Sequence, residues 1–330
     1  MCQVAILRTQ VGQMIAPQLI TVPSYAEEVE AGLTGYPKSL PAKLFYDVAG
    51  SALFEEITQL PEYYLTRTEL GILKDRAGEI AEAVGAGVAV IELGAGTAAK
   101  TCTLLQALVK RQMRVPYYPV DISSSALAGA RARVVAEVHW VSVRPVIADF
   151  ADGFGFLSNV PGRKLVLYLG SSIGNFDPEA AVSMLADIRG ELAAGDALLL
   201  GTDMVKKEKI LLPAYDDAQG VTAAFNRNIL RRMNRELGAD FDLDAFRHVA
   251  RWNAQQSRME MHLKSLRLQT VDLSLRRLRI GFLPGEHIHT ENSYKYTMPA
   301  VRSMLSGAGF QLVQSWFDRK KWFGLHLARV

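Results

Sequence analysis

The chain has 330 residues, 49% of them hydrophobic, and a formal net charge of +3. This length suits one large domain or two intertwined ones with an ample core, and so small a charge argues against a nucleic-acid partner. The two cysteines, Cys2 and Cys102, make neither a disulfide framework nor a metal site, no apolar run approaches a membrane span, and the N-terminus holds an arginine and no convincing cleavage site, so a cytoplasmic protein is expected.

Residues 1 to about 30 read as a variable lead. Ser51 is placed to cap a short helix, Ala52 to Thr58, whose Leu53, Phe54 and Ile57 share one face. Pro61 to Glu69 crowd two tyrosines, an arginine and two carboxylates into a loop, and Thr68 is placed to cap a helix running toward Val84, stopped by Gly85 and Gly87. The apolar run Val88 to Ile91 then leads through Glu92-Leu93-Gly94-Ala95-Gly96 into a helical stretch, Thr97 to Leu108. That is a buried strand, a tight glycine turn and a helix start.

Two ligand types compete for this turn. Gly94, Gly96 and Ala99 satisfy the dinucleotide spacing G-x-G-x-x-A. The acid before the first glycine instead gives E-x-G-x-G, the pattern of S-adenosylmethionine-dependent methyltransferases. A carboxylate beside the turn suits a cationic ligand and repels a pyrophosphate. A plain strand-to-helix turn with no ligand is the third reading.

A second strand ends at Asp121, 25 positions beyond Gly96, where a carboxylate can accept ribose hydroxyls. Ser123 or Ser124 caps the next helix, Ala126 to Val138. A third strand, Val143 to Ala148, ends at Asp149-Phe150, an acid and a ring suited to an adenine. A fourth, Lys164 to Gly170, runs into Ser171 to Pro178; a helix, Glu179 to Ala193, and a fifth strand, Ala197 to Leu200, follow. The alternation then breaks. Lys206 to Gly238 is helical, Phe241 to Asn253 reads as a helix started by Asp242, and residues 257 to 296 alternate like antiparallel strands of a lid or second domain. Within them Arg276, Arg277 and Arg279 read as a solvated face. His287 and His289 share one face of a strand with no Cys or third His near them, so no metal is expected. A helix ending at Gly309 precedes two strands, Phe310 to Phe317 and Trp322 to Ala328, whose short link demands a hairpin. The expected fold is α/β: a Rossmann-like class I methyltransferase with a mostly parallel seven-stranded sheet, a C-terminal antiparallel hairpin, and a second α+β substrate-binding domain.

Six blocks carry a more specific resemblance: PKSLPAKLFYD, GSALFEEITQLPEYYLTRTE, IELGAGTAAKT, YLGSSIGNFDP, AYDDAQGVTAAFNRN and ENSYKYT. In this order, from about Pro37 to the C-terminus, they resemble the histidine N-alpha-methyltransferases of ergothioneine biosynthesis. The resemblance implies three successive methyl transfers from S-adenosylmethionine to the alpha-amine of L-histidine, giving trimethylhistidine (hercynine). It implies a cofactor domain of residues 68–204 and 297–330 and a substrate or lid domain of residues 1–67 and 205–296. Its cofactor contacts fall on Gly94, Lys100, Asp121, Asp149 and Phe150. Its histidine contacts fall on Tyr63, Asn175, Tyr215, Glu291, Asn292 and Ser293, with Tyr46 near the reacting amine. Ala95 stands where serine is common, and Asn292 replaces an apolar residue, which bears on side-chain selectivity.

Methyl transfer from a sulfonium is an in-line displacement that needs a neutral amine held on axis; orientation supplies up to roughly 7–11 kcal/mol in ideal cases. Tyr46 is the candidate acceptor of the amine proton. Asn175 and Tyr215 can donate to a carboxylate, Glu291 can take an imidazole N–H, and Ser293 can meet the other ring nitrogen. A monomer acting on a small molecule is expected, with neither nucleic acid nor membrane as partner. The rival readings are an N-methyltransferase for another amino acid such as a tryptophan derivative, a catalytically silent S-adenosylmethionine sensor, and a nicotinamide oxidoreductase.

Overall fold

The computed structural model describes residues 25–330; the N-terminal lead and Cys2 lie outside the described residues. In chain order the elements are α1 (Ala26–Thr34), β1 (Lys38–Ser39), α2 (Val48–Gln59), α3 (Tyr64–Val84), β2 (Val88–Leu93), α4 (Thr101–Gln112), β3 (Val115–Asp121), α5 (Ser124–Glu137), β4 (Val141–Val143), β5 (Val146–Ile147), β6 (Arg163–Tyr168), α6 (Pro178–Gly190) and β7 (Ala197–Asp203). They continue as α7 (Glu208–Tyr215), α8 (Val221–Leu237), β8 (Phe246–Asn253), β9 (Arg258–Ser265), β10 (Gln269–Leu273), β11 (Leu278–Phe282), β12 (His287–Tyr294), α9 (Met298–Gly307), β13 (Gln311–Phe317) and β14 (Phe323–Arg329).

The main sheet has the order β13-β14-β7-β6-β2-β3-β4, with β5 also paired to β3. β4, β3, β2, β6 and β7 run parallel, and β14 and β13 return antiparallel as the C-terminal hairpin. This is the expected Rossmann-like methyltransferase sheet, with eight strands in place of seven because the third is split in two. Strand order reverses at β2, so the carboxyl ends of β2 and β6 flank the crevice where ligands of such sheets bind. β2 and β7 are buried along their whole length, as strands covered on both faces must be. Two apolar layers sandwich the sheet, one around Leu73, Leu105 and Leu325, the other around Ile91, Leu185 and Leu305.

The second assembly is a sheet of order β1-β12-β9-β8, with the separate pair β10-β11. Its core draws on Leu33, Phe45 and Tyr64 from the N-terminal segment and on Phe225, Leu263 and Ile288 from the insertion. α3 begins in that core at Tyr64 and Leu65 and continues at Ile72 into the main-sheet core, so residue 68 lies inside one continuous helix.

Several expected boundaries are corrected. α2 starts at Val48, because the Asp47 carboxylate accepts from Gly50 N at 2.7 Å, four residues before the expected Ser51 cap. α3 starts at Tyr64; Thr68 is inside it and its hydroxyl donates back to Tyr64 O. The third strand is split into β4 and β5 at Arg144-Pro145, where a proline has no N–H for the ladder. Phe241 to Asn253 is not a helix: Asp242 caps only the short turn Leu243–Ala245, and β8 follows. In the expected solvated stripe, Arg276 pairs with Glu30 and Arg279 with Asp272. The Ser123 cap of α5 and the terminal hairpin stand as expected. Among the described residues no helix is long and apolar enough to cross a membrane.

Candidate active site

At the end of β2 the chain reverses through Gly94 (φ +68°) and Gly96 (φ +49°), a region that favours glycine. A Cβ added at either would meet no heavy atom within 4 Å, so the turn opens onto free space. Gly94 N and Ala95 N donate to Val120 O, and Gly96 N donates to Asp121 Oδ2 at 3.1 Å. Asp121 Oδ1 accepts from Ser123 N at 2.9 Å. One carboxylate thus ties the glycine turn to the end of β3. β5 pairs Ile147 with Asp121, which carries Asp149 and Phe150 just past the same sheet edge; Phe150 stacks on Phe154 at 5.5 Å.

Glu92 does not face the turn's ligand side as the sequence argument required. Its carboxylate is buried and accepts from Thr101 Oγ1 at 2.5 Å and from the Tyr117 hydroxyl. Burial pushes it up to about 7, against those two hydrogen bonds. It braces β2 against α4 and β3. The carboxylate that does reach Lys100 is Glu69 of α3, wholly buried, whose other oxygen accepts from Gly170 N at 2.8 Å. Glu69→Gln removes the charge that fixes Lys100 but keeps an acceptor for Gly170. Losing one charge-assisted bond of roughly 1.5–3 kcal/mol should weaken S-adenosylhomocysteine binding about tenfold or more, readable by calorimetry.

The loop after β6 carries the next groups. Ser171 takes φ +60° and its Oγ accepts from Asp203 N at 2.8 Å. Gly174 lies against the backbone of Tyr294; a Cβ there would sit 2.9 Å from Tyr294 O. That close approach brings Asn175 to β12. With its amide nitrogen toward the strand, Asn175 donates to Asn292 O at 3.2 Å and to Glu291 Oε1 at 3.3 Å. Asn175, His289, Glu291 and Asn292 line one groove.

Along β12, Glu291 and Ser293 share a face and Asn292 takes the other. The Ser293 and Tyr215 hydroxyl oxygens are 2.7 Å apart. Burial pushes Glu291 up to about 7, with the positive charge of Lys295 opposing. The Asn292 side chain meets His289 Nε2 at 2.8 Å and Asp177 Oδ1 at 3.4 Å. What it offers Asn175 is its carbonyl, so it leaves the Glu291 and Ser293 face unchanged. The expectation that no third histidine stands near His287 and His289 fails in space. The His262 ring lies 5.3 and 5.0 Å from theirs, although among the described residues no cluster has the arrangement of a metal site.

Tyr46, Phe54, Tyr63 and Phe225 form an aromatic cluster. Tyr46 and Phe54 meet edge-on at 5.7 Å, Phe54 and Tyr63 at 6.1 Å, and Phe225 packs on both Tyr46 and Phe54. Tyr46 keeps 37% of its surface accessible in this recess. Burial nevertheless pushes its hydroxyl far above the usual phenol range, and the charges of Glu291 and Asp121 and the hydroxyl of Tyr215 add to the effect. The charges of Glu291 and Asp121 thus both act on Tyr46. Tyr63 is raised by burial, then by Tyr215, Tyr46, Glu291 and Asp203. At neutral pH both are phenols. In that form Tyr46 can accept a hydrogen bond from an amine.

Sequence reading gave no role to three residues of this region: Phe54, assigned to a helix's apolar face, and the buried Glu69 and Lys295, both inside the quoted blocks.

The family described as histidine-specific, S-adenosylmethionine-dependent methyltransferases matches residues 25–330. The chain is 46% identical over 301 residues to a histidine N-alpha-methyltransferase of Mycolicibacterium smegmatis, covering 91% of this chain and 93% of that one. It is 45% identical over 303 residues to the protein of that name from Mycobacterium tuberculosis, again covering 91% and 93%. It is 32% identical over 310 residues to ergothioneine biosynthesis protein 1 of Neurospora crassa, covering 88% of this chain and 33% of that longer one.

Proposed function

The chain belongs to the histidine-specific, S-adenosylmethionine-dependent methyltransferases, and from that premise we infer that it methylates the alpha-amine of L-histidine three times, yielding trimethylhistidine, the first step of ergothioneine biosynthesis. The observation that carries the reading is the convergence of polar groups on one strand face: Asn175 lies 3.3 Å from Glu291 Oε1, and the Ser293 and Tyr215 hydroxyls are 2.7 Å apart.

The residues fit S-adenosylmethionine. Gly94 and Gly96 open a cradle, and Asp121 and Asp149 with Phe150 line its nucleoside end at the sheet edge. Lys100, held by Glu69, closes the other side. The bound donor supplies an electrophilic methyl group on a sulfonium. The protein's own task is to present a neutral amine to it. Asn175, turning the amide hydrogen it gives Glu291 in the ligand-free protein, and Tyr215 donate to the histidine carboxylate, while Glu291 accepts an imidazole N–H and Ser293 meets the second ring nitrogen. A sulfonium beside a buried ammonium disfavours that charge, so the amine releases its proton to water. Tyr46 orients the amine by accepting a hydrogen bond. Tyr46, Phe54 and Tyr63 offer ring faces to the methylated, increasingly cationic intermediates, each such contact worth about 0.5–2 kcal/mol. Residues 68–204 and 297–330 are assigned to donor binding, and the described part of 1–67 with 205–296 to the amino acid; the separate apolar core of the latter supports this division.

The test is incubation with S-adenosylmethionine and histidine, tryptophan or tyrosine, followed by mass spectrometry. Mass gains of one, two and three methyl groups on histidine alone are expected. Donor binding with no methylated amino acid would overturn the reading. For Tyr46→Phe, loss of one orienting hydrogen bond should lower kcat roughly five- to tenfold, with KM for histidine changing less, as read from initial rates.

A further inference from the structure

Behind the hydroxyls of Tyr215 and Ser293 lies a lysine that the chemistry above does not use. The Lys295 side chain is fully buried. Its Nζ donates to Tyr215 OH at 2.7 Å and Ser293 Oγ at 2.8 Å, and meets Asp203 Oδ2 at 2.9 Å. An ammonium has three hydrogens and no lone pair, so all three are committed and both hydroxyl oxygens must receive.

The hydrogen count then restricts the pair. Tyr215 and Ser293 bring one hydroxyl hydrogen each, and their oxygens lie 2.7 Å apart, a distance that needs a hydrogen between them. One hydrogen bridges the pair. The other is free to turn toward a ligand. Without the lysine, the same two hydroxyls could donate in either sense to each other, to Asp203 or to water. The anchor of the lysine is itself held. Asp203 is fully buried, accepts from Tyr64 OH at 2.7 Å and from Lys206 Nζ at 2.5 Å, and donates its N–H to Ser171 Oγ.

We propose that Lys295 is a positioning residue that, by donating to both hydroxyls, turns Tyr215 and Ser293 into a single hydrogen-bond donor aimed at an acceptor atom of the amino-acid substrate. The proposal rests on the histidine reading of this pocket. It has a consequence for how the substrate is held. When Tyr215 donates to the carboxylate, Ser293 donates to Tyr215 and can only accept from the ring. With Glu291 accepting the other ring N–H, the bound ring is then an imidazolium. When Ser293 donates to a bare ring nitrogen, Tyr215 is spent on Ser293. Lys295 thus couples the grip on the carboxylate to the protonation of the ring.

Two variants test this. Lys295→Met keeps length and burial without donors, and Lys206 remains to pair with Asp203. Lys295→Gln restores an NH2 with two hydrogens. The expected result for Lys295→Met is a KM for histidine at least tenfold higher, a smaller change in kcat, and S-adenosylhomocysteine affinity within twofold of wild type by calorimetry. Lys295→Gln should recover most of the KM. An unchanged KM in Lys295→Met overturns the proposal. So does a joint loss of thermal stability and S-adenosylhomocysteine binding in both variants, with Gln no better than Met, since that marks a structural brace. If wild-type protein methylates a different amino acid, the histidine reading fails, and the same KM comparison made with that amino acid still decides the role of Lys295.

Discussion

Glu291→Gln should lower kcat/KM for histidine by roughly 10²–10³ while making the ligand-free protein more stable at pH 8. The first effect follows from the substrate's ring. A carboxylate accepting an imidazole N–H contributes a charge-assisted bond of about 1.5–3 kcal/mol, and an amide placed there presents either a weaker acceptor or a clashing donor. The second follows from linkage. Burial raises Glu291 from 4.5 to about 7 in the fold, so its contribution to stability is fully present below 4.5 and is lost as pH rises through about 7. Ionised at pH 8, the carboxylate costs on the order of 3 kcal/mol relative to an uncharged group. An inactive variant that melts higher than wild type excludes unfolding as the reason for lost activity. The pH profile carries a further check. The ratio of wild-type to variant kcat/KM cancels the titration of histidine itself. It should rise up to about tenfold per unit below pH 7, as Glu291 ionises, and level off above. A flat ratio from pH 5.5 to 8.5 would remove Glu291 from contact with the ring.

Why such a group can be read from sequence, and others cannot, depends on what kind of signal fixes it. The main sheet was legible because most strands from Val88 to Asp203 are short apolar runs closed by Gly, Asp or Ser, and because the five residues between the last two strands leave room only for a hairpin. Local hydrogen-bond competition misled the boundaries. Ser51, Thr68 and Asp242 all have the chemistry of an N-cap. Ser51 is preceded by Asp47, a stronger acceptor already in place. Thr68 instead bonds back one turn, a use open to any threonine inside a helix. Asp242 caps a single turn, and the period-two pattern of Phe246, His248, Ala250 and Trp252 then takes over as β8. In the site, the residues assigned to ligands were assigned from their own side-chain chemistry, whereas Glu69 and Lys295, although inside the quoted blocks, act on other side chains through contacts that only tertiary packing creates. Glu92 shows the same limit from the other direction. Its place before the glycines suggested a partner for a cation, but strand alternation turned it into the core, where Thr101 and Tyr117 receive it.

Asp121→Ala is expected to abolish turnover at micromolar S-adenosylmethionine, with S-adenosylhomocysteine affinity falling roughly 10²–10³-fold and the fold retained. Two losses combine. The carboxylate holds Gly96 N through Oδ2 and Ser123 N through Oδ1, so alanine frees the glycine turn and the entry to α5 together. It also removes the acceptor assigned to the ribose hydroxyls, and charge-assisted bonds of this kind contribute about 1.5–3 kcal/mol each. Asp121→Asn separates the two contributions. Its amide oxygen can still accept from one backbone N–H, but its NH2 faces the other donor or the ribose and lacks the charge. It should fall between alanine and wild type, nearer alanine in ligand affinity and nearer wild type in melting temperature. Histidine supplied at saturation should rescue neither, because the deficit lies on the donor side. Calorimetry with S-adenosylhomocysteine and an independent melting curve read these two scales. Alanine and wild type binding S-adenosylhomocysteine equally would mean that the donor's ribose lies elsewhere, and the assignment of the whole β2–β3 edge to the donor would fall with it.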